Sequence, residues 1–415
     1  MEIKLRIFAL LMLGILLATG CKHNGERGGD LGIQEPAEKM PKENDEDIKV
    51  DLIQKKIDNM AIDEKIGQLI MTGFEGTSLG EDLIQYIKEY NVGGVIFFSR
   101  NIEDTSQTIE LINQIKIVNQ SNSIPLLFSI DEEGGRVSRF PKSIVGLPSA
   151  KTIGDKNDDK ISYDFGKVLG NRLKPFGFNM VYGPVLDINS NPKNPVIGDR
   201  AFGSNPLLVS NVGVQVIDGI KSTNIISVVK HFPGHGDTEM DSHIDLPSLD
   251  KSFEELLEFE LIPFAKAIEN SVDAIMVAHI LYPKIDLKFP ATMSSIIIND
   301  ILRDTLKFDG LVLSDDMTMG AVVNNFTVEE GVLKFLQSGG DIALICHGKD
   351  NTIKSINRIL EAVENGELNE SEIDKKVYRI LELKEKYRLD NVEIYDSSIH
   401  RINDITKEFN NKLQR

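Results

Sequence analysis

From residue 51 onward, short unbroken apolar runs alternate with segments whose apolar residues recur every three or four positions. Strands covered on both faces read as continuous apolar runs. On that pattern strands are predicted over 92–98, 125–131, 179–187, 225–230, 274–279, 310–314 and 341–346. Helical spacing between them predicts helices over 106–118, 163–176, 208–222, 253–270, 295–305 and 329–337. Two further amphipathic segments, 353–363 and 373–383, follow the last strand. Seven or eight strand-helix units in succession fit the α/β class, most economically a single (β/α)8-like TIM barrel, with a doubly wound open sheet as the alternative. Polar residues stand just after these strands: Asp131, Asp187, Lys230, His231, His279, Asp315, Asp316 and His347. A closed barrel would bring those strand ends to one face.

The two ends of the chain read differently. A basic start with Lys4 and Arg6 leads into an apolar run over 7–18, too short to span a bilayer but the length of a signal-peptide core. It closes on L-A-T-G-C, which resembles a bacterial lipoprotein signal with Cys21 as the acylated residue; an ordinary secretory signal is the alternative. The predicted organisation is therefore a signal peptide over 1–20, a disordered tether over 21–50, the barrel over 51–388 and a polar extension over 389–415. This predicts a lipid-anchored domain in the cell envelope, outside the cytoplasm, reaching the membrane through its N-terminus.

Composition narrows the function. A chain of 415 residues with 41% apolar and 27% charged positions is globular, and a formal charge of -18 repels nucleic acid and anionic lipid. The second cysteine, Cys346, lies in an apolar run, so no disulfide framework is available. A monomer is expected.

The chemistry concentrates in residues 230–243, K-H-F-P-G-H-G-D-T-E-M-D-S-H, which hold three of the seven histidines. Pro233, Gly234 and Gly236 make a helix unfavourable there, so the stretch reads as a loop at a strand end. Asp241, two residues before His243, can hold one ring nitrogen and make the imidazole a general acid/base. Asp-x-His is also a common chance pattern. At 311–316, L-V-L-S-D-D delivers Asp315 and Asp316 to a strand end; adjacent side chains point oppositely, so one can face the axis while the other packs behind it. A helix-capping role competes with that reading. D-E-E-G-G-R-V-S-R at 131–139 and G-D-R-A-F-G at 198–203 add Asp131, Arg136, Arg139 and Arg200, a set suited to gripping vicinal hydroxyls. His231, His235, Asp237, Asp241 and His243 could ligate a metal, but their spacing matches no established ligand pattern, so neither metal nor cofactor is expected.

These motifs, with E-K-I-G-Q-L at 64–69, resemble family 3 glycoside hydrolases, specifically the bacterial β-N-acetylhexosaminidases of the NagZ type. The resemblance covers residues from about 60 to about 383. It implies a retaining exo-β-N-acetylglucosaminidase with Asp315 as nucleophile and His243, oriented by Asp241, as acid/base. Asp131, Arg139, Arg200, Lys230 and His231 would hold the terminal N-acetylglucosamine of a peptidoglycan-derived or related glycan. A histidine departs from the usual pair of carboxyl groups. It also repels an anionic acceptor less, so phosphorolysis is an alternative, as is β-glucosidase activity. A non-catalytic glycan-binding lipoprotein is the alternative of another class. Two departures from the family pattern stand out: Glu132 where the family loop often has Gln, and the N-terminal lipid signal.

Overall fold

The computed structural model of the chain describes residues 45–242, 244–395 and 399–414, and the compact unit discussed below spans Ile48–Arg415. The signal peptide with Cys21, most of the tether, and His243 lie outside the described residues. Among those residues no helix is long and apolar enough to cross a membrane.

Eight parallel strands close into a barrel in sequence order: β1 Ile70–Thr72, β2 Gly94–Phe97, β3 Leu127–Ile130, β4 Met180–Val185, β5 Ile226–Phe232, β6 Ala274–Val277, β7 Leu311–Asp316 and β8 Ile342–Ile345. Closure comes from β1, which pairs with both β2 and β8. The predicted barrel is thus present, and the open sheet is not. Nearly every strand residue is buried, which is why seven of the strands read as plain apolar runs. The eighth, β1, has three residues directly behind the helix Ile62–Gln68, so its apolar positions merge with that helix's pattern.

Three predicted segments differ in detail. The helix expected over 253–270 is two, Phe253–Glu258 and Ile262–Glu269, because Pro263 lacks the N–H that would continue the first and fits the first turn of the second. The C-terminal segment is more than a polar extension: Ile399–Leu413 is helical and buries Ile402, Phe409 and Leu413. Phe409 meets Phe165 of the helix Asp159–Leu173 at 6.0 Å between ring centroids. Asn403 and Asn410 bond the backbone of Val145, Ser143 and Gly146 at 2.7, 2.9 and 3.0 Å. The helix therefore clamps the long loop that leaves β3, the loop that also carries Asp131 and Arg139. Among the described residues the first helix, Asp45–Asp58, starts inside the stretch expected to be tether.

Candidate active site

The carboxyl ends of the strands surround a cavity of about 320 Å³ whose walls include Asp131, Arg139, Arg200, Lys230, His231 and Asp315. All six were expected in the site from sequence. The open end of a parallel barrel is where strand-end side chains converge, so the fold itself makes this cavity.

Two strands supply pairs of adjacent residues to it. Lys230 and His231 both line the cavity, although neighbours on a regular strand face opposite sides. The register of β5 shifts against both of its partners at this point, between Tyr182 and Val185 on one side and between Val229 and Phe232 on the other. Such an irregularity re-aims side chains. β7 shows the same device: its register against β8 shifts between Leu313 and Asp316, and Asp315 and Asp316 both reach the cavity wall. Their duties still divide. The Asp316 carboxylate accepts from Thr318 N and Oγ1 at 2.9 and 2.7 Å and from Cys346 N at 3.0 Å, so it ties β7 to β8.

One side of the cavity is a compact charge cluster. Lys230 Nζ stands 2.7 Å from both Asp131 Oδ1 and Glu133 Oε1. Arg200 meets Glu133 with Nε and Nη2, each at 2.8 Å, and Arg139 Nη2 lies 3.4 Å from Asp131 Oδ2. Burial by itself would raise the carboxyls of Asp131 and Glu133; Lys230 with Arg139, and Lys230 with Arg200, outweigh it and hold both below the ordinary range. Burial would likewise lower Lys230, and Asp131 and Glu133 outweigh that, so its pKa rises and the ammonium is secured. Fixed carboxylates accept and fixed cations donate, which is what neighbouring sugar hydroxyls require.

His231 is held from behind. Its Nδ1 is 2.6 Å from Asp187 Oδ2, and the other oxygen of Asp187 accepts from His235 N at 2.6 Å. Asp187 is fully buried, and burial's upward push on its carboxyl is overcome by His231 beside it. This leaves Nε2 of His231 towards Arg200 Nη2, 3.4 Å away, and the cavity.

The segment carrying the proposed acid/base lies against β7's exit. Ala321 N donates to Ser242 O at 3.1 Å and Asn324 Nδ2 to Ile244 O at 3.0 Å, so both neighbours of His243 are bonded to residues that follow Asp315. The loop's root is packed equally closely: a Cβ on Gly236 would stand 1.7 Å from Ile188 O, so only glycine fits. Asp241 O accepts from Ile244 N and Asp245 N at 3.0 and 3.2 Å.

Residues 61–383 match the family model described as Glycosyl hydrolase family 3 N terminal domain. The chain belongs to glycoside hydrolase family 3. Among relatives of this family 3 chain, a Beta-hexosaminidase of Nitrosomonas eutropha is 34% identical over 328 residues, covering 77% of this chain and 93% of that protein. Beta-hexosaminidase A of Pseudoalteromonas piscicida is 33% identical over 334 residues; the match covers 75% of this chain but 56% of that longer protein. A solved family 3 beta-N-acetylglucosaminidase from Paenibacillus sp. str. FPU-7 superposes with a TM-score of 0.79 at 35% identity, over 85% of this chain and 69% of its own.

Several site residues were not singled out from the sequence. Glu133 sits beside Asp131 in a motif that was recognised, but nothing local says that it turns to meet Lys230, 97 positions away, and Arg200. Asp187 stood out as a polar strand end; its hold on two histidines needed β4 and β5 side by side. Glu132 is fully buried, accepts from Arg139 N at 3.1 Å, and faces the equally buried Arg172 at 3.5 Å. Burial raises the Glu132 carboxyl despite Arg172, and burial lowers the Arg172 guanidinium. The departure at Glu132 is therefore a buried carboxylate set against a buried guanidinium, positioned under the Arg139 loop. Gly134 and Gly135, at φ of 82° and 56°, supply the left-handed turn that brings Arg139 back over Asp131.

Proposed function

We propose that this chain is a retaining exo-β-N-acetylglucosaminidase that releases terminal N-acetylglucosamine from peptidoglycan-derived or related glycans. What carries this reading is the arrangement of one cavity, with a grip of Asp131, Lys230, Arg200 and His231 on one wall and the strand-end carboxylate of Asp315 on another. The grip fits the hydroxyls of a terminal sugar and leaves Asp315 for the anomeric carbon. In the first step the Asp315 carboxylate bonds to that carbon as the bond to the leaving oxygen breaks, and His243, protonated and oriented by Asp241, gives its proton to that oxygen. In the second the neutral imidazole takes a proton from water, which attacks the same carbon and restores Asp315. Two displacements at one carbon retain its configuration.

The relatives named above support the choice of sugar, and the bonds of Ser242 and Ile244 to residues that follow Asp315 support an acid/base drawn from the barrel's own loop. The lipid on Cys21 and a location outside the cytoplasm belong to the same proposal, resting on the N-terminal sequence. Paired rates on nitrophenyl β-N-acetylglucosaminide and β-glucoside test the sugar: a preference of about 100-fold for the former is expected, the scale of leaving one buried polar group unpaired, and equal rates refute it. Adding inorganic phosphate should leave the product as free N-acetylglucosamine; a sugar 1-phosphate would make the enzyme a phosphorylase. Binding without turnover would make it a glycan-binding protein.

A further inference from the structure

The loop is buried at its root, rises to the surface at residues 239–240 and returns to the interior at Ser242. Glu239 and Met240 are exposed and Asp241 is half-buried, whereas Ser242 is only 2% exposed and lines the cavity. Its hydroxyl meets His235 Nε2 at 3.1 Å, while its carbonyl takes Ala321 N. His235 is in turn fixed on every polar atom. Nδ1 meets Thr238 Oγ1 at 2.8 Å, its N–H goes to Asp187, and its carbonyl accepts Asn194 Nδ2 at 2.8 Å. Asn194 is oriented by accepting from Val196 N and Ile197 N, each at 2.8 Å. Burial, with His231 nearby, lowers the His235 pKa, so the ring stays uncharged, and either neutral tautomer keeps a hydrogen bond to Ser242.

Asp187 thus anchors two things at once: the ring of His231, which faces the sugar, and the backbone of His235, which reaches the neighbour of His243. We propose that His235 and Ser242 form a latch that positions the acid/base dyad over the leaving oxygen, and that Asp187 sets the distance between this latch and the sugar grip. Both line the cavity, and the role assigned to them is exerted through His243. Both are positioning residues, and the proposal rests on the reading of His243 as acid/base. Without the latch the turn at 241–245 keeps its own bonds and its ties to Ala321 and Asn324, so the loop remains folded while the dyad loses its register on the glycosidic oxygen.

The test is leaving-group dependence in the full-length enzyme. For Ser242→Ala, kcat/KM on phenyl β-N-acetylglucosaminide should fall by about tenfold or more, since that oxygen needs a proton, and on the 2,4-dinitrophenyl substrate by less than about threefold. His235→Asn should give the same split, and adding Ser242→Ala to His243→Ala should cause no further loss, because Ser242 acts through His243. Thermal melts confirm that each variant is folded. An equal loss on both substrates, or additive losses in the double variant, overturns the latch while leaving the acid/base reading intact. A His243→Ala variant with no leaving-group dependence overturns that reading, and the latch falls with it.

Discussion

At the amino-terminal end of β8, Asp341 is fully buried and accepts from Arg303 Nη2, Arg379 Nη2 and Val312 N at 2.7, 2.6 and 2.8 Å. At the opposite, carboxyl-terminal mouth, Glu133 is 7% exposed and is held by Arg200 and Lys230 at 2.8 and 2.7 Å. The residue types and distances are nearly the same. What differs is the surroundings: the Asp341 carboxylate has its acceptor positions filled by the protein itself, with Arg379 Nε supplying a further bond at 3.0 Å. At the mouth, Lys230, Arg139 and His231 also border a cavity and keep surface to offer a ligand. A buried ion cluster is a site only where the fold leaves it a hollow; elsewhere it staples strand to helix.

Five substitutions, in four tests, probe that contrast. The largest effect is expected at the mouth and on activity alone: Asp315→Ala should lower kcat/KM by about 10⁴-fold or more, with the melting temperature unchanged within about 2 °C. A parallel loss of stability would erase the distinction between the two ends. Next, Asp341→Asn should cost about 3 kcal/mol in urea unfolding, because two partly buried guanidinium groups lose the buried carboxylate that holds them. The surviving folded enzyme should keep its kcat within about twofold, and a selective loss of kcat would make the bottom of the barrel part of the site.

A smaller effect is expected at Lys376, beside Asp341. Burial is the main force on its ammonium, Asp341 opposes it, and Arg379 and Arg303 add to it, so its pKa is lowered to about 8. The folded chain then binds this proton less tightly than the unfolded chain, so its contribution to stability rises as pH climbs from about 8 toward the ordinary 10.5. Lys376→Met should therefore stabilise the protein by roughly 2 kcal/mol at pH 7, less its lost bond to Gly340 O, with the gain vanishing near pH 10. Denaturation curves at both pH values check the sign. The smallest effect is expected for the pair Glu132→Gln with Arg172→Met, which should stay within about 1 kcal/mol of the parent because buried ion pairs are replaceable as a unit. Arg172→Met alone should be measurably worse, and near-full activity of the double variant would show that Gln serves equally to accept Arg139 N.

The barrel was legible because its strands are buried on both faces and punctuated by polar ends; only β1, three residues long, was hidden behind a helix. The charged wall of the cavity was legible for a related reason, since Asp131, Lys230, His231 and Arg200 stand at the ends of such strands or in glycine-punctuated loops. The partners of Glu133, Asp187, His235 and Arg172 were not, because a side chain's partner depends on which strands become neighbours and on where a strand slips register.

By itself the chain determined the order of strands and helices, the placement of reactive groups at strand ends, and the glycines that only one backbone conformation accommodates, since these follow from local periodicity and local sterics. The tertiary structure alone decided which charges meet across 97 residues, as Glu133 and Lys230 do, that both residues of the Lys230–His231 pair line the cavity, and that Ser242 is tied through His235 to Asp187, the partner of His231. Those outcomes depend on barrel closure and on the irregular register of β5 and β7, which are properties of strands in contact rather than of any one segment.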